Sequence, residues 1–428
     1  MNIKKHNYDD ISEVLYEYEH KCGLKAFVIP KKGYKKIFAT FGTHYGSLNN
    51  IFIDPDTKKE IRVPDGIAHF LEHKLFEQKD GNVMDTFSKL GANTNAYTGF
   101  AETVYLFSCT NNFKENFNTL LNFVQEPYLT EENVESEKGI IAQEINMLKD
   151  SGTRVVFLNL LEGLYKNNPV KIDIGGTVES ISKITPELLY KCYNTFYHPS
   201  NMMVLVVGDV DPNEVFEIVD KNIQVTDTLD IKRIYPDEPD EVNKKVVRDR
   251  KEIARPLFLM GYKDNEVYID GYDKLKKDVC INLLLDIIMG NSSNLYSDMY
   301  SQGLINTTFG YDYTIEENYA FSNFGGETDE PEKVKDMILA EIERIKRDGI
   351  KKEDFLREKK SQIGDFIREF ERIDTVSTTF IENYFKGVIS LDFYRVLEEV
   401  TIEDLMYYLK EHFKEERLAL SIVYPIER

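Results

Sequence analysis

Three stretches of the first half of the chain return in the second half, in the same order and at nearly constant spacing, which limits the possible folds more than any other feature. TPELLYKCY from Thr185, leading into MMVLVV, stands 216 positions before TIEDLMYYL from Thr401, leading into LALSIV. At a spacing of 214, residues 101–108 (AETVYLFS) match 315–322 (IEENYAFS) at Glu102/Glu316, Tyr105/Tyr319, Phe107/Phe321 and Ser108/Ser322. At 221, Glu132, Glu137 and Lys138 match Glu353, Glu358 and Lys359. The spacing is about half of the 428 residues, so the chain reads as two domains of one architecture.

Local patterns give each domain a mixed α/β character. Residues 24–29 and 37–43 are short β-branched or aromatic runs bounded by Gly, Lys and Asn, as strands are. From Pro64 to Leu75 the apolar residues Ile67, Leu71 and Leu75 recur every four positions, which predicts a helix with Asp65 as its cap. A second helix is expected after Thr130, with acidic residues in its first turns and Gly152 beyond its end. Residues 202–207 (MMVLVV) form an unbroken apolar run ending in Gly208-Asp209, the mark of a strand buried on both faces. Residues 226–243, with two prolines and many charges, read as a linker. The expected division is a first domain over 1–225, a linker over 226–246 and a homologous second domain over 247–428.

The balance of 53 basic against 74 acidic residues leaves −21, which argues against a nucleic-acid partner because phosphate recognition needs clustered cations. With 42% hydrophobic residues the acidity belongs to a globular chain. Four scattered cysteines make neither a disulfide framework nor a thiolate metal site. The polar, acidic N-terminus lacks the apolar core of a signal peptide, and no run of 18 apolar residues follows, so a cytoplasmic protein without a membrane segment is expected.

The chemistry centres on His69-Phe-Leu-Glu72-His73. Positions i, i+3 and i+4 share one face of a helix, so both imidazoles and the Glu72 carboxylate point to one place. Two imidazoles one turn apart can bind one zinc ion, and a neighbouring carboxylate that is not a ligand can take a proton from water. A hydrolytic zinc needs a third protein ligand and an open fourth position. The candidates are Glu137 and Glu144, two turns apart on one helix face. Glu144 has the more apolar neighbours in Ile140, Ile141, Ile145 and Leu148, and Glu137 suits an orienting role. At the 214 spacing, His69, Glu72 and His73 fall on Leu283, Asp286 and Ile287, so a zinc site is expected in the first half alone.

These motifs resemble those of the pitrilysin/insulinase zinc peptidases, whose inverted motif is His-x-x-Glu-His with a distant glutamate. The likeness is carried by GIAHFLEHKLFE, GANTNAYTGFAETVYLFS and VESEKGIIAQEIN, runs through FYHPSNMMVLVVGDVDP to about Pro212, and is nearest to the half-length bacterial YmfH-like subgroup. The resemblance implies a zinc endopeptidase. His69, His73 and Glu144 would be its metal ligands, Glu72 its general base and Glu137 its supporting acidic residue. Asn95, Ala96 and Tyr97 would lie on an edge strand that an extended peptide joins as a further strand. It also implies an α+β fold of two homologous domains, each a mostly antiparallel sheet packed with helices, together half of a clamshell closed by a second subunit around a chamber. The family's second half usually carries an Arg and a Tyr that steady the substrate carbonyl. Anchoring on Gly303-Leu304 places Met299 and Asn306 there, with Tyr311 or Tyr313 as possible substitutes. The expected partner is therefore a paralogue that supplies the Arg/Tyr pair in a heterodimer. The competing class is a non-catalytic peptide-binding or scaffold subunit of a processing complex.

Overall fold

In the computed structural model, which describes residues 1–269 and 271–426, the chain forms two compact units. The first comprises Met1–Ile145, Asp173–Ile234 and Ile367–Phe385. The second comprises Asn146–Ile172, Tyr235–Phe366 and the chain from Lys386 onward.

The sheet of the first unit is built from β1 (Ile3–Tyr8), β2 (Glu13–Glu19), β3 (Lys25–Pro30), β4 (Ile37–Thr43), β5 (Asn93–Thr98), β6 (Thr103–Cys109) and β7 (Met202–Gly208), in the order β1-β2-β3-β7-β4-β6-β5. Only β3 and β7 run parallel. The apolar run at 202–207 became the middle strand β7, every residue of which is buried. The second unit has β8 (Val246–Lys251), β9 (Leu257–Asp264), β10 (Gly310–Ile315), β11 (Ala320–Glu327) and β12 (Leu418–Pro425), in the order β8-β12-β9-β11-β10, and again only the first pair runs parallel. With the β1–β2 hairpin set aside, the two sheets have the same strand order and the same directions.

The helices that matter below are α1 (Ile67–Leu75), α2 (Glu131–Lys149), α3 (Gly152–Leu164), α4 (Pro186–Phe196), α5 (Gly271–Met289), α6 (Lys352–Glu369), α7 (Ile373–Phe385) and α8 (Ile402–His412). Thr185 and Thr401 cap α4 and α8 with their side-chain oxygens, and both helices keep the spacing of 216. Helices α2 and α6 begin 221 apart, as the sequence match has them.

The hairpin match is corrected by three residues. Thr98 pairs with Thr103 and Ile315 with Ala320, so the turn sets a spacing of 217, at which Glu102 corresponds to Tyr319. An odd slip along a strand exchanges its faces. Phe107 belongs to the core of the first unit, whereas Phe321 packs on Phe157 and Tyr165 outside the main core of the second, where Phe324 is the true counterpart.

Two helices also belong to compact units that the linear division 1–225 and 247–428 does not give them. Helix α3 packs on β9 and β12 of the second unit, where Gly163 leaves room for the Lys244 carbonyl. Helix α7 packs on β4 and β7 of the first. There Gly42 lets α7 approach closely, since an added Cβ would stand 2.5 Å from the terminal Cδ1 of Ile381 and 3.2 Å from the Phe385 ring. The expected linker is structured. Arg233 bridges to Phe52 in the first unit, and in the second the Glu238 carboxylate accepts hydrogen bonds from the backbone of Lys166, Asn167 and Asn168.

Candidate metal centre

Helix α1 starts abruptly. Gly66 takes φ 90°, and a Cβ there would lie 2.4 Å from the Gly175 carbonyl oxygen, so only glycine lets the loop at 173–176 close over the helix start. The expected Asp65 cap is not made, because the Asp65 carboxylate instead accepts from Asn50 Nδ2 at 2.8 Å. Ile67, Leu71 and Leu75 are buried as their spacing predicts, which turns His69 and His73 toward α2. Thr130 caps α2, with Asn133 N donating to its Oγ1 at 3.2 Å and Thr130 N donating to Asn133 Oδ1 at 2.9 Å. Ile141 and Ile145 anchor α2 in the core and leave Glu137 and Glu144 facing α1.

Glu144 Oε1 lies 3.9 Å from His69 Nε2 and Oε2 lies 3.7 Å from His73 Nε2. The two imidazole rings stand 4.6 Å apart, and one donor atom from each of the three residues falls within 4.8 Å of the others. Ligands about 2.0–2.1 Å from a tetrahedral zinc are about 3.3 Å apart, and both Glu144–imidazole distances, 3.9 and 3.7 Å, are close to that spacing. Two imidazoles and one carboxylate are also the donor types that zinc takes at hydrolytic sites. Among the described residues this is the one such cluster.

Glu137 supports the cluster without joining it. Its Oε1 is 3.1 Å from His73 Nδ1, which directs Nε2 of that ring toward Glu144. Burial works to raise the pKa of Glu137, but hydrogen bonds from His73 and the Lys74 ammonium outweigh it and hold the carboxyl below its ordinary value. His73 shows the converse: burial opposes its charge, yet Glu137, Glu72 and Glu144 raise its pKa, so the site favours positive charge. The relative burial of the two glutamates is the reverse of that expected. Glu137 is 13% exposed and Glu144 is 35% exposed, because Ile140 beside Glu144 points to solvent.

Glu72 is buried and accepts a 2.9 Å hydrogen bond from Thr98 Oγ1 on β5. Burial pushes its pKa up, against that bond and the nearby His73, so this carboxyl holds a proton more readily than an exposed glutamate does. Strand β5 is the last of its sheet and, among the described residues, pairs with β6 alone. On it Asn95 is exposed and Ala96 packs against the core. The Tyr97 hydroxyl is buried beside Glu382 of α7, and burial raises its pKa.

The motif reading missed two contributors, Thr98 and Lys74. Thr98 closes the quoted Asn-Ala-Tyr-Thr run, and Lys74 directly follows His73. In the second unit Met299 is core, and Asn306 Nδ2 donates to Glu327 at 2.9 Å. Both candidate tyrosines are already engaged, Tyr311 donating to Asp286 and Tyr313 to the buried Asp264.

Residues 57–178 match the family model described as "Insulinase (Peptidase family M16)", and residues 183–362 match "Peptidase M16 inactive domain". The chain is 42% identical to the Bacillus subtilis protein named uncharacterized zinc protease YmfH, over 99% of both chains. It is 24% identical to zinc protease PqqE of Helicobacter pylori, over 86% of this chain and 85% of that one. An M16-like crystal structure from Alicyclobacillus acidocaldarius superposes with a TM-score of 0.93 at 32% identity, covering 100% of this chain and 99% of the other. Pitrilysin superposes with a TM-score of 0.75 at 15% identity, over 100% of this chain and 47% of its own, a likeness of fold.

Proposed function

Because the chain belongs to the M16 insulinase family of peptidases, we propose that it is a zinc endopeptidase whose metal is held by His69, His73 and Glu144 and whose general base is Glu72. The observation that carries this reading is the division of labour among the carboxylates. Glu144 faces both Nε2 atoms, Glu137 holds the far side of His73, and Glu72 is tied to the edge strand by Thr98. Bound zinc supplies a Lewis acid that polarises the scissile carbonyl and acidifies water. Glu72, buried and anchored by Thr98, takes a proton from water and passes it to the departing amine nitrogen. Thr98 fixes one Glu72 oxygen and leaves the other for the transfer. The substrate backbone pairs with the outer edge of β5 at Asn95, Ala96 and Tyr97, so extended peptides or unfolded segments are bound with little regard to sequence.

The test compares hydrolysis of an unstructured peptide by the wild type and by Glu72→Gln, alongside zinc content. The variant should retain one zinc and lose about 10²- to 10⁴-fold in kcat. A zinc-loaded wild type that binds peptides without cleaving them, both alone and mixed with a paralogue that carries the Arg/Tyr pair, would favour the peptide-binding scaffold instead.

A further inference from the structure

Lys74 has a side chain only 1% exposed, although it carries an ammonium group on the helix that bears both histidines. Lysines are almost never buried unless carboxylates answer them. Here two do. Glu77, 44% exposed, pairs with Nζ from the solvent side, and Glu137 Oε2 lies 3.4 Å from Nζ on the inner side. The other oxygen of Glu137 is the one at His73 Nδ1. A single carboxylate thus spans the lysine and the histidine.

We infer that Lys74 is a positioning residue of the metal centre, which pins the second oxygen of Glu137 and so holds the first in line with His73 Nδ1. The terminal torsion of a glutamate is broad and soft, and one anchor leaves its carboxylate plane free to turn. Anchors on both oxygens fix the plane, which fixes the His73 ring and the direction of its Nε2. The ammonium also offsets the charge of Glu137, in a site where Glu72 and Glu144 are already close to His73. Residues that orient a metal-bound histidine commonly change metal affinity 10- to 100-fold when removed. The inference rests on the zinc-peptidase reading and extends it by one residue.

The experiment measures zinc release to a competing chelator from full-length wild type, Lys74→Met, Lys74→Arg, Glu137→Gln and the Lys74→Met/Glu137→Gln double variant. Met fills a similar buried volume without charge, and Arg keeps the charge. Release from Lys74→Met should be about tenfold faster than from wild type, and Lys74→Arg should recover most of the loss. In the Glu137→Gln background the Lys74→Met change should add little, because its effect runs through that carboxylate. A Lys74→Met protein that melts at a lower temperature without metal yet releases zinc at the wild-type rate would make Lys74 a packing residue and overturn the inference. So would an undiminished Lys74→Met effect in the Glu137→Gln background. A wild type that takes up no zinc would overturn the peptidase reading itself, a result distinct from either of these.

Discussion

Glu72, Glu137 and Glu144 are chemically identical, and only their surroundings give them different work. Glu144 turns both oxygens to imidazoles, Glu137 is divided between His73 and Lys74, and Glu72 is buried against Thr98. Replacing Thr98 with Val should leave zinc content unchanged while lowering kcat about tenfold or more, since a hydrogen bond to a charged group contributes about 1.5–3 kcal/mol. Steady-state kinetics with metal analysis checks this, and a loss of zinc instead would place Thr98 among the supports of the metal ligands. His69, Glu72 and His73 were legible because i, i+3, i+4 spacing alone puts three side chains on one face. The apolar neighbours that favoured Glu144 over Glu137 include Ile140, which is exposed, so sequence composition around the two glutamates does not report their burial. Lys74 could not be read at all, since nothing local tells a lysine that it will be buried beside residues sixty positions away.

At the scale of elements, β5 is the surface on which substrate pairing is expected. A peptide N-methylated at the residues next to the scissile bond should lose about two backbone hydrogen bonds, at about 0.5–1.5 kcal/mol each, and show a KM raised about 5- to 150-fold. An unchanged KM would mean that side chains, not β-pairing, hold the substrate. In the second unit, Asp264 lies buried among Lys277 Nζ at 2.8 Å, Tyr313 at 2.9 Å and His412 Nδ1 at 3.1 Å. Burial alone would raise its pKa, but His412 and Lys277 prevail and hold it below the ordinary 3.8. A carboxyl depressed by folding stabilises the fold above its unfolded pKa and loses that contribution as pH falls below about 4 toward the folded value. Asp264→Asn should therefore cost about 3 kcal/mol at pH 7 by denaturant titration, because it leaves the buried Lys277 ammonium with Glu266 as its one remaining carboxylate among the described residues, 3.4 Å away, and should flatten the stability curve below pH 4. The strands at 24–29 and 37–43 and the cap at Thr130 were legible from local pattern, whereas the caps at Thr185 and Thr401 emerge from the structure. The hairpin register was not, because shared Tyr, Phe and Ser residues favoured a spacing of 214 while the turn at 99–102 enforces 217.

For the whole molecule, the repeat announced two similar sheets, and the strand orders agree with it. The assignment of α3 and α7 to compact units was hidden, because it depends on which sheet each apolar helix finds after the chain has turned, not on its own sequence. The resemblance places Met299 and Asn306 where the family carries Arg and Tyr, and Tyr311 and Tyr313 are committed to Asp286 and Asp264, so we propose that the donors for the substrate carbonyl come from a second chain. A paralogue that retains the Arg/Tyr pair is the partner we propose. Mixing the two should raise kcat about 30- to 1000-fold over this chain alone, equivalent to about 2–4 kcal/mol of transition-state stabilisation. Equal activity for the zinc-loaded single chain would show that the donors come from within it. The central claim is that His69, His73 and Glu144 hold a zinc ion beside a base that is not a ligand. Anomalous diffraction at the zinc edge from zinc-loaded Glu72→Gln crystals measures this most directly. One peak is expected about 2.0–2.1 Å from His69 Nε2, His73 Nε2 and a Glu144 oxygen, with residue 72 outside bonding distance. A peak bound to Glu137 in place of Glu144, or no peak between α1 and α2, would contradict it.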